Sequence, residues 1–367
     1  MSRRPVGVGV VGAGVISDQY LDNLTRAADV AVLMVADLDT DRAAARATQF
    51  DVPASGTLDE LLAHPDVELV VNLTVPAAHV PVGLAAVAAG KHVYSEKPFA
   101  LDRSGGQELL GAADLAGLRA ACAPDTVLGA GVQTARRLIE AGAIGEPLTG
   151  LALFQVSGPE TWHPSPEFLF AKGGGPLFDM GPYYFSALLQ CLGPATRVVA
   201  RGSRSRTERV VGQGPRAGTV FPVEVPTHVA GLIDFAAGGS ATAVLSFQSA
   251  LQRSGVVEIT GTEGVLALPD PNGFDGTVRL WRTGHEEPES IPAVGSTMTR
   301  GQGVVELARA LRSGTPERLN GRLGLHLVDL MCSLEESASH GEQVQLSTTA
   351  EPAPTLPEDW DPYARTL

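Results

Sequence analysis

Two groups of residues in this chain have the types and spacing to do chemistry together. The first is Glu96-Lys97-Pro98. A lysine ammonium beside a carbinol stabilises the negative charge that develops on its oxygen as a hydride leaves. Partial burial and a neighbouring cation lower such a lysine's pKa, and Glu96 in close contact raises it. The second group, about eighty residues upstream, is Gly12-Ala13-Gly14-Val15-Ile16-Ser17. A glycine turn of this kind, following a strand and opening a helix, holds a dinucleotide. Gly12 makes the sharp turn, Gly14 lets backbone approach a pyrophosphate, and Ser17 is small enough for the third position. At Val15 and Ile16 free N–H groups and the positive end of the helix dipole meet the phosphate. An overlapping register, Gly7-x-Gly9-x-x-Gly12, has suitable letters but places the turn inside the strand.

Asp37 lies twenty positions beyond Ser17, at the end of the second strand. An acid there accepts hydrogen bonds from ribose hydroxyls and repels a 2′-phosphate. With Leu38 next and no arginine alongside, NAD is expected over NADP. Asn72, Thr74 and Pro76 end a further strand and are expected to line the same crevice.

These residues need a scaffold that brings them to one edge. Short apolar runs at 6–11, 31–36, 68–73 and 92–95 alternate with helical stretches at 15–28, 40–50, 79–89 and 102–116. Asp102 is suited to cap the last of these helices. Strands and helices at this spacing predict parallel βαβ units, a doubly wound Rossmann domain over 1–122. One more helix is expected at 125–141, and Gly145-Glu146-Pro147 breaks it. Strand-like segments then follow at 148–156, 197–202, 228–235, 241–247, 256–260, 265–268 and 278–281. With helices at 178–192, 303–311 and 323–337, they predict an α+β domain over 123–350 with an open, mostly antiparallel sheet. Residues 351–367 read as an extended, proline-rich tail. The fold class is α/β.

Bulk properties exclude other classes. The chain has 367 residues, enough for two domains, and is 44% hydrophobic and 19% charged. A net charge of −14 argues against nucleic acid, which requires a basic face. Cys122, Cys191 and Cys332 are dispersed, giving neither a metal knuckle nor a disulfide framework, and no His/Glu cluster has ligand spacing. No metal is expected. Ser2-Arg3-Arg4 resembles a twin-arginine leader, but the apolar run after it is the first strand. No stretch has membrane-spanning length, so a cytoplasmic location is expected.

Gly12-x-Gly14, Asp37, Thr74-Val-Pro76-Ala-Ala-His79, Gly90-Lys-His-Val and Glu96-Lys97-Pro98 together resemble the Gfo/Idh/MocA family of oxidoreductases. So does Gly173-Gly-Gly-Pro-Leu-Phe-Asp179-Met-Gly181. The resemblance implies a NAD(P) domain, a second α/β domain and assembly as a dimer or tetramer through the second sheet. It also implies oxidation of a sugar or cyclitol hydroxyl, or reduction of the ketone. His79 and Glu96, within these motifs, are assigned with Lys97 to the cofactor site.

The family's second signature is Asp-x-Gly-x-His, with the histidine as proton acceptor; here Tyr183 stands in its place. Asp179 and Tyr183 are four apart, on one face of a helix starting near Phe178, with Pro182 in the first turn. A phenol of ordinary pKa near 10 needs a neighbouring cation, Lys97 or oxidised nicotinamide, to work near neutrality. The expectation is Tyr183 as acid/base, Lys97 as its electrostatic partner and Asp179 orienting the substrate or the lysine. His163 is the rival acid/base, and Trp162 beside it offers an apolar platform for a sugar. His228 and Asp125 are further candidate substrate contacts, with Gln133 behind them, while Tyr184 and His326 read as structural. Two other outcomes of the same site stay open: a redox-neutral glycosidase or lyase with tightly held NAD, and a non-enzymatic NAD-binding regulator.

Overall fold

A computed structural model describes residues 4–367. Ser2 and Arg3 of the Ser2-Arg3-Arg4 run lie outside the described residues. Contacts divide the chain into two units. The first joins residues 1–130, 295–328 and 353–367, and the second joins 131–294 and 329–352. The division is discontinuous, where the sequence reading drew three consecutive segments.

In the first unit the chain runs β1 (Val6–Val11), α1 (Ser17–Leu24), β2 (Val30–Ala36), α2 (Thr40–Gln49), β3 (Ala54–Gly56) and α3 (Leu58–Ala63). It continues through β4 (Leu69–Asn72), α4 (His79–Ala88), β5 (His92–Ser95), α5 (Arg103–Ala116) and β6 (Ala120–Cys122). The six strands are parallel in the order β3-β2-β1-β4-β5-β6. Every residue of β1 and β4 is buried, as strands covered on both faces require. Asp102 caps α5 by accepting the Gly105 N–H at 2.9 Å. The helix expected at 125–141 is split: a short 3-10 turn, Asp125–Leu128, is followed at Gly129 by a break.

The second unit contains α6 (Ala130–Glu140), β7 (Pro147–Gln155), α7 (Gly175–Leu192), β8 (Ala195–Ser203), β9 (Glu208–Val210), β10 (Val220–Pro222) and β11 (His228–Phe235). Then come β12 (Ser240–Ser246), β13 (Arg253–Gly261), β14 (Gly264–Leu268), β15 (Thr277–Arg282) and β16 (Glu289–Pro292). Helix α8 (Gln302–Ser313) belongs to the first unit, α9 (Gly321–His340) begins in the first and ends in the second, and a last strand, β17 (Val344–Gln345), returns to the second. Nine strands form one sheet, β16-β15-β14-β13-β7-β12-β11-β8-β17, and β9 and β10 form a separate hairpin. The large sheet is antiparallel except where β12 runs parallel to β7. Helix α7 packs its apolar length across β7, β12 and β11.

Residues 353–367 belong to the first unit and end on Asp29. That carboxylate, fully buried, accepts the N–H and hydroxyl of Thr366, the Leu367 N–H at 3.1 Å and Arg309 Nε at 2.8 Å. Arg309 in turn lies over the ring of Trp360, 5.0 Å from its centroid.

Candidate active site

Val11, Ala36, Asn72, Ser95 and Cys122 stand in one row across the first sheet, each ending its strand. The next residues therefore leave the sheet side by side: Gly12, Asp37, Leu73-Thr74 and Glu96-Lys97. All are at the carboxyl edge, and β1 and β4 flank the point where strand order reverses. Ligands of open α/β sheets bind there.

Gly12 has φ +100°, and a Cβ built on it would lie 2.7 Å from the Leu73 main chain. Only glycine turns that corner. Around Gly14, no atom lies within 4 Å of where a Cβ would stand. The N–H groups of Gly14, exposed Val15 and half-buried Ile16 donate to nothing among the described residues. Three consecutive free donors at a helix start suit a pyrophosphate. Buried Ser17 turns its hydroxyl onto the Gly14 carbonyl at 2.6 Å, which accounts for a serine at the third small position.

Asp37 accepts the N–H of Ala13 at 2.7 Å and of Asp39 at 2.9 Å. Arg42 grips the same carboxylate, Nη2 at 2.6 Å and Nε at 3.3 Å. Burial alone would raise the Asp37 pKa, but these bonds outweigh it and hold it below the ordinary value. The sequence expectation of no arginine alongside is thus corrected. Arg42 sits in the first turn of α2, and helical side chains lean toward the N-terminus, so it reaches back five residues.

Beyond β4, the Asn72 side chain accepts the Thr74 hydroxyl at 2.6 Å and donates to the His79 carbonyl at 3.0 Å. Pro76 opens a 3-10 turn, Pro76–Ala78. His79 was expected at the cofactor, but it is enclosed, with Nδ1 2.7 Å from the Pro98 carbonyl and Nε2 3.0 Å from that of Thr74. Burial lowers its pKa. Its place is a brace between the β4 loop and the Lys97-Pro98 turn. Glu96 is buried, with Oε1 accepting the Tyr20 hydroxyl at 2.7 Å and Oε2 the Lys97 N–H at 2.9 Å. Lys97 is half-buried. No local spacing signals Tyr20, whose partner is 76 positions away.

Asp125, expected as a substrate contact, is fully enclosed. Its carboxylate accepts the Gly301 N–H at 2.7 Å and faces Arg300 at 3.5 Å. Burial pushes its pKa up to about 6 against the pull of Arg300.

In the second unit Asp179 and Tyr183 both lie on α7, the first half-buried and the second buried. The helix starts at Gly175, one turn earlier than expected, because Pro176 is well placed in a first turn. Pro182 consequently falls inside the helix, where its missing N–H leaves the Phe178 carbonyl without the usual partner. Tyr184 is core: its hydroxyl accepts the Gly255 N–H at 2.7 Å, and its ring meets Phe154 edge-on.

His163 is held in a loop, Nδ1 accepting the Ser165 N–H at 3.0 Å. Its ring stands edge-on to Trp162 and to Phe168, each at 5.5 Å between centroids. Trp162 is 59% exposed and Phe168 49%. Buried Arg209, on β9, pins this loop through the Glu160 carboxylate and the Ser157 carbonyl at 3.1 Å, and stacks on Phe170. Nothing in the spacing of the sequence pointed to Arg209. His228 begins β11, opposite Ser246 and Ser203. Among the described residues no group of three or more His, Cys, Asp or Glu side chains is arranged to hold a metal, and no helix is long and apolar enough to cross a membrane.

A parallel sheet with this order, this glycine turn and this edge defines a dinucleotide-binding Rossmann unit. Residues 6–123 match the family model described as oxidoreductase family, NAD-binding Rossmann fold, and residues 132–267 that of the GFO/IDH/MocA C-terminal domain. The chain belongs to the GFO/IDH/MocA family and is an oxidoreductase acting on CH–OH groups. It is 28% identical to trans-1,2-dihydrobenzene-1,2-diol dehydrogenase of Bos taurus, over 83% of this chain and 86% of that one. It is also 28% identical to 1,5-anhydro-D-fructose reductase of Ensifer adhaerens, over 82% and 95% respectively. In fold it is similar to a levoglucosan dehydrogenase solved with NADH and L-sorbose, with TM-score 0.81 at 20% identity, over 94% of this chain and 99% of that one.

Proposed function

We propose that this oxidoreductase uses NAD to interconvert a secondary hydroxyl and a ketone on a sugar, a glycoside or a cyclitol. The observation that carries the reading is Lys97 leaving β5 in the row shared by Gly12 and Asp37. Relatives that act on diols and anhydro sugars support the substrate class.

Gly12, Gly14, Val15 and Ile16 would hold the pyrophosphate, Asp37 the ribose, and Thr74 and Pro76 the wall beside them. When bound, the cofactor accepts or returns the hydride. The Lys97 ammonium steadies the charge on the carbinol oxygen. Tyr183 takes the hydroxyl proton and Asp179 orients the substrate. His163 fits the role of base less well: its Nδ1 lone pair already accepts a backbone N–H, so its neutral ring carries the proton on Nε2. With Trp162 it serves better as a platform for the sugar, and His228 as a further contact. NAD is favoured because a 2′-phosphate would meet the Asp37 carboxylate, while half-exposed Arg42 moderates that repulsion. Association of copies through the nine-stranded sheet fits Val199 and Leu232, exposed cross-strand neighbours. Cytoplasmic residence belongs to the same reading, in keeping with three free cysteines.

The test is a panel of sugars, glycosides and inositols with NAD, followed by absorbance of the reduced nicotinamide. Lys97→Met should lose turnover and keep NAD binding; full activity in that variant removes the lysine from the mechanism. Tyr183→Phe, and not His163→Ala, should lose the limb of the pH profile that belongs to the base. Product formed with no net change in cofactor would point instead to the redox-neutral reaction.

A further inference from the structure

We infer that Tyr20 is a positioning residue for Lys97, and that one carboxylate ties the helix of the dinucleotide turn to the lysine. The inference rests on the role given to Lys97 above. Tyr20 lies on α1, one turn past Ser17, with its ring fully buried. Its hydroxyl donates to Glu96 Oε1 at 2.7 Å, and Oε2 of the same carboxylate accepts the Lys97 N–H at 2.9 Å. Glu96 is buried, so each of its oxygens is committed: one to α1, the other to the main chain of the lysine.

The strut has little freedom. The Tyr20 ring packs on that of Tyr94, 6.5 Å between centroids. Gly303 comes so close behind Tyr94 that a Cβ there would stand 2.6 Å from its hydroxyl. Burial, then the charge of Glu96, holds the Tyr20 phenol well above its ordinary pKa, so it stays a donor throughout the working pH range. The other charged or titratable groups facing the pair are Tyr94, Asp125 and Arg300, with Cys122 and His79 against Glu96. By accepting from Tyr20, Glu96 spends part of its charge away from the lysine. Without the phenol hydroxyl, the Lys97 main chain loosens and more of the carboxylate's field falls on the ammonium.

The chain has only three lysines, Lys91, Lys97 and Lys172, so amine labelling resolves each of them. Tyr20→Phe should lower kcat about 10- to 100-fold, the scale of a small misplacement of a catalytic group, with NAD affinity within about twofold. Modification of Lys97 by trinitrobenzenesulfonate, followed against pH by peptide mapping, should move its midpoint upward, while Lys172 is unchanged. Wild-type kcat and an unmoved midpoint in Tyr20→Phe overturn the inference. Should that variant not fold, Glu96→Gln must shift the midpoint downward, and an unmoved midpoint there overturns it equally. Lys97→Met run alongside separates the two claims. Full turnover in it removes the lysine's role, whereas an inactive Lys97→Met beside a normal Tyr20→Phe removes only the strut.

Discussion

Asp29→Asn offers the sharpest test of how the first unit is held. The carboxylate is fully buried and takes four donors: the N–H and hydroxyl of Thr366, the Leu367 N–H and Arg309 Nε. Asparagine keeps the shape but removes the charge and turns one acceptor into a donor. Breaking a buried ion pair from one side costs about 3–5 kcal/mol. Arg309 keeps the Asp361 and Ala364 carbonyls and a little exposure, so the low end, about 3 kcal/mol, is expected. For a unit of this size that is a fall of about 6–12 °C in Tm. Urea unfolding followed by far-UV circular dichroism, with tryptophan emission, to which Trp360 stacked on Arg309 contributes, as a second probe, reads it. Burial would raise the Asp29 pKa, but the bonds from Thr366, Arg309 and Leu367 outweigh it and hold it below 3.8. Its contribution is therefore present above pH 4 and lost as pH falls through the folded-state value. The variant should lack that acid-side slope. A loss below about 1 kcal/mol, the worth of a single ordinary hydrogen bond, would refute the reasoning.

Asp125 should act with the opposite sign. Between roughly pH 4 and pH 6 the folded state retains a proton there that the unfolded chain has released, so stability falls as pH rises through that window. The difference between wild type and Asp125→Asn in denaturant unfolding against pH isolates this slope. Gly12→Ala and Gly14→Ala should separate folding from binding. The first meets the Leu73 main chain and should lower Tm; the second meets nothing, leaving Tm unchanged while weakening NAD in a titration. Asp37→Ala should relax discrimination against NADP, and Arg42→Ala should tighten it, as the ratio of the two kcat/KM values. A native preference for NADP would defeat the ribose argument.

Much of the cofactor unit was legible because its strands are Val-rich runs and its turn needs glycine at fixed places. Strands β3 and β6 were not, since Ala54-Ser-Gly56 and Ala120-Ala-Cys122 lack β-branched residues and become strands only by pairing with β2 and β5. In the second unit the long strands of the large sheet were readable, while β9, β10 and β16 are short and set by their partners. Polar residues were the harder part. Asp125 and His79 look like site residues from type and position, yet both are enclosed and tied to backbone groups. Arg42, Tyr20 and Arg209 matter through side-chain reach or long-range contact, which no local spacing encodes.

The first unit is assembled from three separated lengths of chain, and its clasp on Asp29 joins residues 337 positions apart. On a ribosome, the strands that make the nucleotide sheet emerge early, but the segment that locks them arrives only after the other unit has been translated. Until then the nascent sheet has an uncovered acid where Arg309 and Thr366 will later sit. A released fragment of residues 1–130 should therefore be a poor stand-in for the whole, and an affinity tag is better attached at the opposite end from Leu367.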